Sequence, residues 1–145
     1  MATSIQLVFD TADPGRQARF WAAALGYVLQ PPPPGFDSWE ASLLDQGVPE
    51  ERRNDWASIV DPEGKGPRVY FQRVPEGKAA KNRMHLDLNV SGPQGTALEE
   101  RRRRIGTEVD RLKALGATDE RGALEIEGEY WARMNDPEGN EFCLQ

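Results

Sequence analysis

The tetrapeptide Asp-Pro-Glu-Gly occurs twice in the chain, at Asp61–Gly64 and at Asp136–Gly139. Each copy precedes a short strand-like run, residues 69–72 in one case and 142–145 in the other. Proline presets φ at the second position of a tight turn and glycine readily takes a positive φ, so each copy predicts a turn between two strands. Two such turns at corresponding places indicate that the chain contains two copies of one structural unit.

A second pair of matching segments supports the repeat. Residues 5–10 and 84–89 both alternate apolar and polar side chains, which is typical of a strand with one buried face. Each run leads into a helical stretch that closes with Ala-Leu-Gly, at Ala24–Gly26 and at Ala114–Gly116, where glycine is a natural residue to end a helix. Each unit therefore reads strand, helix, strand, strand, turn, strand.

The alternation and the turn signals define the predicted elements. Asp13 and Pro14 predict the cap and first residue of the first helix. An inserted helix, capped by Asp37, is expected at 38–46, after the four prolines that end strand 2. Strands are predicted at about 4–10, 27–30, 56–60, 68–74, 84–90, 122–127, 129–135 and 141–144, and the two longer helices at about 14–25 and 95–115.

These elements predict an α+β fold in which two βαβββ modules in tandem form a curled mixed sheet around a cup. Module 1 is expected at about 1–75 and module 2 at about 83–145, joined by Val74–Lys78 within a single domain, 1–145.

Composition limits the classes of partner. The 145 residues carry a net charge of −6, which disfavours nucleic acid and anionic membranes as partners. The one basic run, Arg101–Arg104, points around the whole circumference of a helix and predicts a solvated face. An apolar N-terminal run is missing, so neither a signal peptide nor a membrane span is expected. The single cysteine excludes an internal disulfide and favours a cytoplasmic setting.

The strand alternation places polar side chains on one face of the predicted sheet, opposite the apolar face that the helices can cover. Glutamine and histidine are unusual choices for a plain solvent-facing surface. A sheet that curls around this polar face would form a cup for a small-molecule ligand. The side chains expected to line the cup are Gln6, Asp10, Tyr70, Gln72, His85, Asp87 and Cys143.

Three features together resemble the vicinal oxygen chelate superfamily, which includes glyoxalase I, fosfomycin and bleomycin resistance proteins and extradiol dioxygenases. They are the two βαβββ units, the His-x-Asp-x-x-Val run that begins at His85, and the terminal Asp-Pro-Glu-Gly-Asn-x-Phe segment. The segment Asp10–Pro14 leading to Ala18–Trp21 is similar to actinobacterial-type glyoxalase-like domains. The resemblance covers essentially the whole chain and implies the fold, but it leaves the activity open because this fold hosts unrelated reactions.

In metal-dependent members of that superfamily, the ligands come from the first and last strands of each unit. The resemblance places these positions on Gln6 and His85, and on Tyr70 and Cys143. Mg, Mn and Fe favour carboxylates, which both last-strand positions lack, and His85 is the only histidine. We therefore predict no cofactor, with a divalent metal at Gln6 and His85 as the alternative. The carboxylates that would then substitute are Asp10, Asp87 or Glu141.

Each candidate residue has two interpretations. His85 with Asp87 predicts a catalytic general base held by a carboxylate, or a structural histidine bonded across the sheet. Cys143 is a ligand or nucleophile, or a small buried apolar residue. Trp39 and Trp56 lie on or beside the insertion and are candidate ligand contacts, although core packing is the alternative.

Three functions remain open. The first is a glyoxalase-like small-molecule binding protein or metal-independent enzyme, the second a metal-dependent lyase or dioxygenase, and the third a drug-sequestering resistance protein of the bleomycin-binding type. A homodimer is also expected, because symmetric dimers are common and the apolar stripe of the inserted helix, Trp39 and Leu43, needs a surface to pack against.

Overall fold

The computed structural model describes residues 1–119 and 121–145, and the chain divides into two compact units. The first unit is Met1–Gly77 and the second is Lys78–Gln145. This boundary lies at the end of the predicted connection between the two modules.

The first unit is a four-stranded sheet with a long helix and an insertion. The strand order is β1-β4-β3-β2, with β1 parallel to β4 and the other pairs antiparallel. Its elements are β1 (Gln6–Thr11), α1 (Pro14–Leu25), β2 (Val28–Leu29), α2 (Trp39–Asp45), a single 3-10 turn (Glu50–Arg52), β3 (Trp56–Val60) and β4 (Arg68–Arg73).

The second unit repeats this topology without the insertion. Its strand order is β5-β8-β7-β6, again with the first and last strands parallel. Its elements are β5 (Leu86–Leu88), α3 (Leu98–Ala114), β6 (Ala123–Ile126), β7 (Glu129–Asn135) and β8 (Glu141–Leu144). The prediction of two βαβββ modules is therefore confirmed.

The strand register makes the repeat exact at the level of single residues. Tyr70 on β4 lies opposite Val8, two residues after Gln6. Cys143 on β8 lies opposite Asp87, two residues after His85. The pairs Gln6 and His85, and Tyr70 and Cys143, therefore occupy equivalent places in their units.

Both Asp-Pro-Glu-Gly segments form the predicted turns, and the aspartate closes each one. Asp61 accepts hydrogen bonds from the backbone N–H groups of Glu63, Lys65 and Gly66. Asp136, which is buried, accepts from Glu138 and Asn140 in the same way. The glycine of each turn has a positive φ, 69° at Gly64 and 88° at Gly139, as the turn requires.

The core of the first unit is an aromatic cluster between α1 and the apolar face of its sheet. The Phe9 ring lies 5.3 Å from that of Trp21 on α1 and 5.4 Å from that of Phe71 on β4. Asp13 caps α1 by accepting from the Arg16 N–H at 3.1 Å, and Pro14 is its first residue, as predicted. Packing on this face leaves the side chains of alternate strand residues on the opposite face.

The structure corrects three local predictions. The cap of α2 is Ser38 and not Asp37, because the Ser38 hydroxyl accepts from the Ala41 N–H at 3.1 Å. Strand β5 is only Leu86–Leu88, since its partner β8 is only four residues long. Met84, which was expected on the apolar face, is consequently outside the strand and 70% exposed. Helix α3 begins at Leu98, three residues later than predicted.

Helix α2 packs Leu43 of its apolar stripe inward, while Trp39 stays 38% exposed. Leu43 is buried, and Trp39 donates from its indole nitrogen to the main-chain oxygen of Gln30 at 2.6 Å. Leu44 on the other side of the helix is 62% exposed. The stripe therefore has a surface within its own unit, and homodimerisation stays a prediction.

The long helices do not have membrane-spanning character. Across residues 1–119 and 121–145, every helix is too short or too polar to cross a membrane.

We expect Phe71→Ala to destabilise the first unit by about 3–5 kcal/mol, because the Phe71 side chain is fully buried and its removal leaves a cavity beside Phe9. Val8→Ala is the matched control: Val8 lies on the other face of the neighbouring strand and is half exposed, so its replacement should change stability by less than about 0.5 kcal/mol. Urea denaturation followed by circular dichroism measures both. Equal losses for the two variants would contradict the proposed layering.

Candidate functional site

The first unit contains a pocket at the open end of β3. Strand β2 pairs only with the far end of β3, opposite Val60 and Ile59. The end of β3 near Trp56 is bordered instead by α2 and the first turns of α1, which leave a cavity of about 440 Å³. That volume lies in the usual range for small-molecule sites. The lining residues include Arg19, Gln30, Trp39, Leu43, Asn54, Trp56, Ser58, Arg68 and Tyr70.

Arg68 is the centre of the polar wall of this pocket. Its Nε donates to Gln30 Oε1 at 2.7 Å, and its two terminal nitrogens donate to Gln6 Oε1 at 2.6 Å and to Ser58 Oγ at 2.5 Å. The guanidinium also lies over the Tyr70 ring, 5.3 Å from its centroid. These contacts reach residues on or next to all four strands of the sheet and fix the guanidinium in one position.

Gln30 connects the polar wall to the aromatic wall. Its side chain accepts from Arg68, its main-chain oxygen accepts from the Trp39 indole, and its N–H donates to the Ser58 carbonyl at 2.9 Å. Trp39 and Trp56 both line the pocket. The position of the Trp39 ring thus depends on the same residue that holds Arg68.

Asn54 fixes the side of the pocket formed by α1. Its side-chain oxygen accepts from the Gly15 N–H, and its amide nitrogen donates to Asp13 Oδ1, both at 2.9 Å. A side chain at position 15 would meet Asn54 Oδ1 at 2.8 Å, so glycine permits this close contact. The hydrogen bond from Asn54, helped by the Arg16 N–H and opposed by burial, lowers the pKa of Asp13.

The second unit brings together His85, Asp87 and Cys143. One ligand atom from each of the three side chains lies within 4.8 Å of the other two. His85 Nε2 is 3.3 Å from Asp87 Oδ1, and both side chains are 42% exposed. Burial, and then the neighbouring Asp87 carboxylate, raise the pKa of the Cys143 thiol, so the thiol form is favoured at neutral pH.

The carboxylate of Glu141, at the start of β8, already has hydrogen-bond and ion-pair partners within the protein. Its carboxylate accepts from the Asn82 N–H at 2.9 Å and from Lys78 at 3.2 Å, and Arg133 lies 3.8 Å away. Burial alone would raise the pKa of Glu141, but the Asn82 N–H and Lys78 outweigh it and hold that pKa at about 2. Glu141 therefore connects β8 to the segment that precedes β5.

In the first unit, the positions that the resemblance assigns to metal ligands do not suit a divalent cation. Gln6 accepts from Arg68 and Tyr70 lies against the same guanidinium, so a cation at these positions would stand next to a fixed positive charge. The second unit offers a different set, an imidazole, a carboxylate and a thiol, from His85, Asp87 and Cys143. Such a mixed nitrogen, oxygen and sulfur set favours zinc over magnesium or manganese.

Each unit contains some of the predicted site residues. Trp39, Trp56 and Tyr70 line the pocket, and Gln6 contacts its polar wall through Arg68. Asp10 accepts from Gln72 at 2.8 Å. Gln72 lines a neighbouring depression of about 500 Å³, which Trp56 and Tyr70 also border. His85, Asp87 and Cys143 form the cluster of the second unit.

Sequence reasoning missed Arg68, Gln30, Ser58 and Asn54. The signal for Arg68 was present, because strand alternation places it on the same face as Tyr70 and Gln72. Gln30 and Asn54 lie at the ends of the insertion, where no periodic pattern indicates which way a side chain points.

Comparisons with solved structures agree with this fold. A glyoxalase/bleomycin resistance protein/dioxygenase family enzyme from Burkholderia phytofirmans is 15% identical, with a TM-score of 0.60 over 96% of this chain and 94% of that one. A glyoxalase-related enzyme from Fulvimarina pelagi is 16% identical, with a TM-score of 0.59 over 99% and 87%. Lactoylglutathione lyase from Agrobacterium tumefaciens is 10% identical, with a TM-score of 0.54 over 99% and 92%. At these identities the likeness shows the fold alone.

The tandem βαβββ fold defines a protein of the vicinal oxygen chelate class. The family model for the glyoxalase-like domain matches residues 6–145, so the chain belongs to the glyoxalase-like domain family of that superfamily. No curated protein matches the sequence.

We expect Glu141→Gln to lower the stability of the second unit at neutral pH. The stability of the variant should also change less than that of the wild type as the pH falls. The pKa of Glu141 is lowered from 4.5 to about 2 on folding, so the carboxylate stabilises the fold above pH 4.5, and this contribution is lost as the pH falls towards 2. Thermal unfolding between pH 7 and pH 2 should show a difference between wild type and variant that shrinks below pH 4.5.

Glu99→Gln is the matched control, because the Glu99 side chain is 90% exposed on α3. It should follow the wild-type curve closely. A Glu141→Gln protein with the same pH dependence as the wild type would contradict the role of this carboxylate.

Proposed function

We propose that this glyoxalase-like protein binds a small organic molecule in the pocket of its first unit, and that it does so without a metal. The observation that carries the proposal is the fixed guanidinium of Arg68 facing a cavity of about 440 Å³ with tryptophan walls. A pocket with an apolar lining and a few oriented polar groups is the usual form of a small-molecule site.

The Arg68 network also supports independence from metal. In the first unit, the two positions that hold metal ligands in related proteins, Gln6 and Tyr70, both contact the guanidinium. The positive charge of Arg68 can hold or polarise a ligand oxygen by hydrogen bonding, a role that a metal would fill in a metal-dependent protein.

If the protein is an enzyme, the group suited to moving a proton is the His85–Asp87 pair. A carboxylate 3.3 Å from the imidazole can orient its ring and stabilise the imidazolium that forms when His85 accepts a proton. In this scheme His85 is the general base and Asp87 orients it. Sequestration of a drug, the non-catalytic alternative, needs only the pocket.

A ligand screen by thermal shift in the presence of EDTA tests the proposal, since a ligand that binds only the folded state raises the melting temperature. Ligands found with the wild type should no longer raise the melting temperature of the Trp39→Ala variant, because the substitution removes one wall of the pocket. Leu44→Ala is the control, as it removes an exposed apolar side chain from the same helix outside the pocket lining. Ligands that bind only without EDTA, or that bind Trp39→Ala as well as the wild type, would contradict the proposal.

A metal-dependent lyase or dioxygenase is the second candidate, and the convergence of His85, Asp87 and Cys143 within 4.8 Å favours it. Metal analysis separates the two candidates. On our proposal, protein incubated with Zn, Ni, Mn or Fe and passed through gel filtration retains less than one equivalent of metal.

One equivalent retained by the wild type and by Asp10→Ala, but lost in His85→Ala and Cys143→Ser, would favour the metal-dependent enzyme instead. Asp10 is the control because it is bound to Gln72 in the first unit.

A further inference from the structure

The charge of the first-unit pocket is the reverse of that of the whole protein. The chain has a net charge of −6. Among the residues that the structure describes, however, those that line this pocket include Arg19, Arg53 and Arg68 and neither aspartate nor glutamate. The electrostatic field inside the cavity therefore favours a negatively charged ligand group and disfavours a cationic one.

The three arginines differ in how their charges are balanced. Arg53 forms an ion pair with Glu40 on α2. Arg19 is exposed at the rim, where it interacts electrostatically with Asp13. Arg68 contacts only neutral acceptors, and across residues 1–119 and 121–145 no carboxylate forms an ion pair with it. Arg68 is thus the half-buried cation of the pocket that still lacks a counter-charge.

The guanidinium of Arg68 retains hydrogen-bonding capacity towards a ligand. It has five N–H groups, and three of them donate to Gln30, Gln6 and Ser58. One N–H remains on each terminal nitrogen, and a planar carboxylate can accept from two such donors. Because three hydrogen bonds and Tyr70 already hold the guanidinium, binding an anion immobilises little additional side-chain freedom.

The remaining walls of the pocket suit a flat apolar body. Trp39 and Trp56 present indole rings, and Leu29 and Leu43 add aliphatic surface. Aromatic ligands pack against indoles in stacked or edge-to-face arrangements. The Trp39 ring is held by its hydrogen bond to Gln30, the residue that also positions Arg68.

We propose that the first-unit pocket takes a flat aromatic carboxylate, with the carboxylate on Arg68 and the ring against Trp39 and Trp56. This inference rests on the proposed function of the same pocket and adds the chemical class of the ligand. It requires a preference for the charged carboxylate over a neutral amide of the same shape.

Isothermal titration calorimetry in EDTA with 2-naphthoate and 2-naphthamide tests the proposal. The wild type should bind the carboxylate about ten- to a hundredfold more tightly than the amide, the usual range for a charge-assisted hydrogen bond. Arg68→Met should lose this preference while it still binds the amide. Arg103→Met, a change of the same kind on α3 at a residue paired with Glu100, should keep the wild-type preference.

The wild-type comparison stands without any variant, so a failure of Arg68→Met to fold does not leave the proposal untested. Equal affinity for the two probes in the wild type would overturn the proposal, and so would a preference retained in a folded Arg68→Met protein. In the first case the pocket still binds small molecules and only the ligand class is wrong. Binding of neither probe at millimolar concentration also overturns the ligand class, whereas the proposed function is tested separately by the thermal-shift screen and its Trp39→Ala and EDTA arms.

Discussion

The hydrogen bonds of one arginine organise the first unit's site. Arg68 projects from β4 and donates to Gln6 on β1, to Ser58 on β3 and to Gln30 just after β2. All three acceptors are neutral, so the guanidinium is held in place while its charge remains available to a ligand. Gln30 in turn holds Trp39, and Trp39 begins the helix that closes the pocket. The insertion after β2, which the second unit lacks, thus depends on the same contacts as the sheet.

The internal repeat gives the two units equivalent positions, and at one pair of these positions the two side chains have opposite charges. Arg68 lies two residues before Tyr70, and Glu141 lies two residues before Cys143, the equivalent of Tyr70. In the first unit this position carries a cation with neutral partners, which suits anion binding. In the second unit it carries a carboxylate that Lys78 and the Asn82 N–H satisfy, which suits a structural role. The fold has therefore placed different chemistry on two copies of one scaffold.

Sequence patterns predicted the fold well, because each of its signals is local. Strand alternation, the cap at Asp13 and the two Asp-Pro-Glu-Gly turns specify the elements, and repetition specifies their order. The pocket was predicted less completely. Trp39, Trp56 and Tyr70 follow from aromatic character and strand phase, whereas Gln30 and Asn54 act through contacts between residues 38 to 41 positions apart. No short-range pattern encodes such contacts. Strand β5 is also shorter than its alternation predicts, because β8 offers only four residues for pairing.

A crystal structure of the protein soaked with 2-naphthoate tests the central role of Arg68 most directly. The account predicts carboxylate oxygens within hydrogen-bonding distance of the terminal nitrogens of Arg68, with the bonds to Gln30, Gln6 and Ser58 intact and the naphthalene ring against Trp39 and Trp56. A ligand bound away from Arg68, or a guanidinium that leaves its three acceptors to reach the carboxylate, would contradict the account.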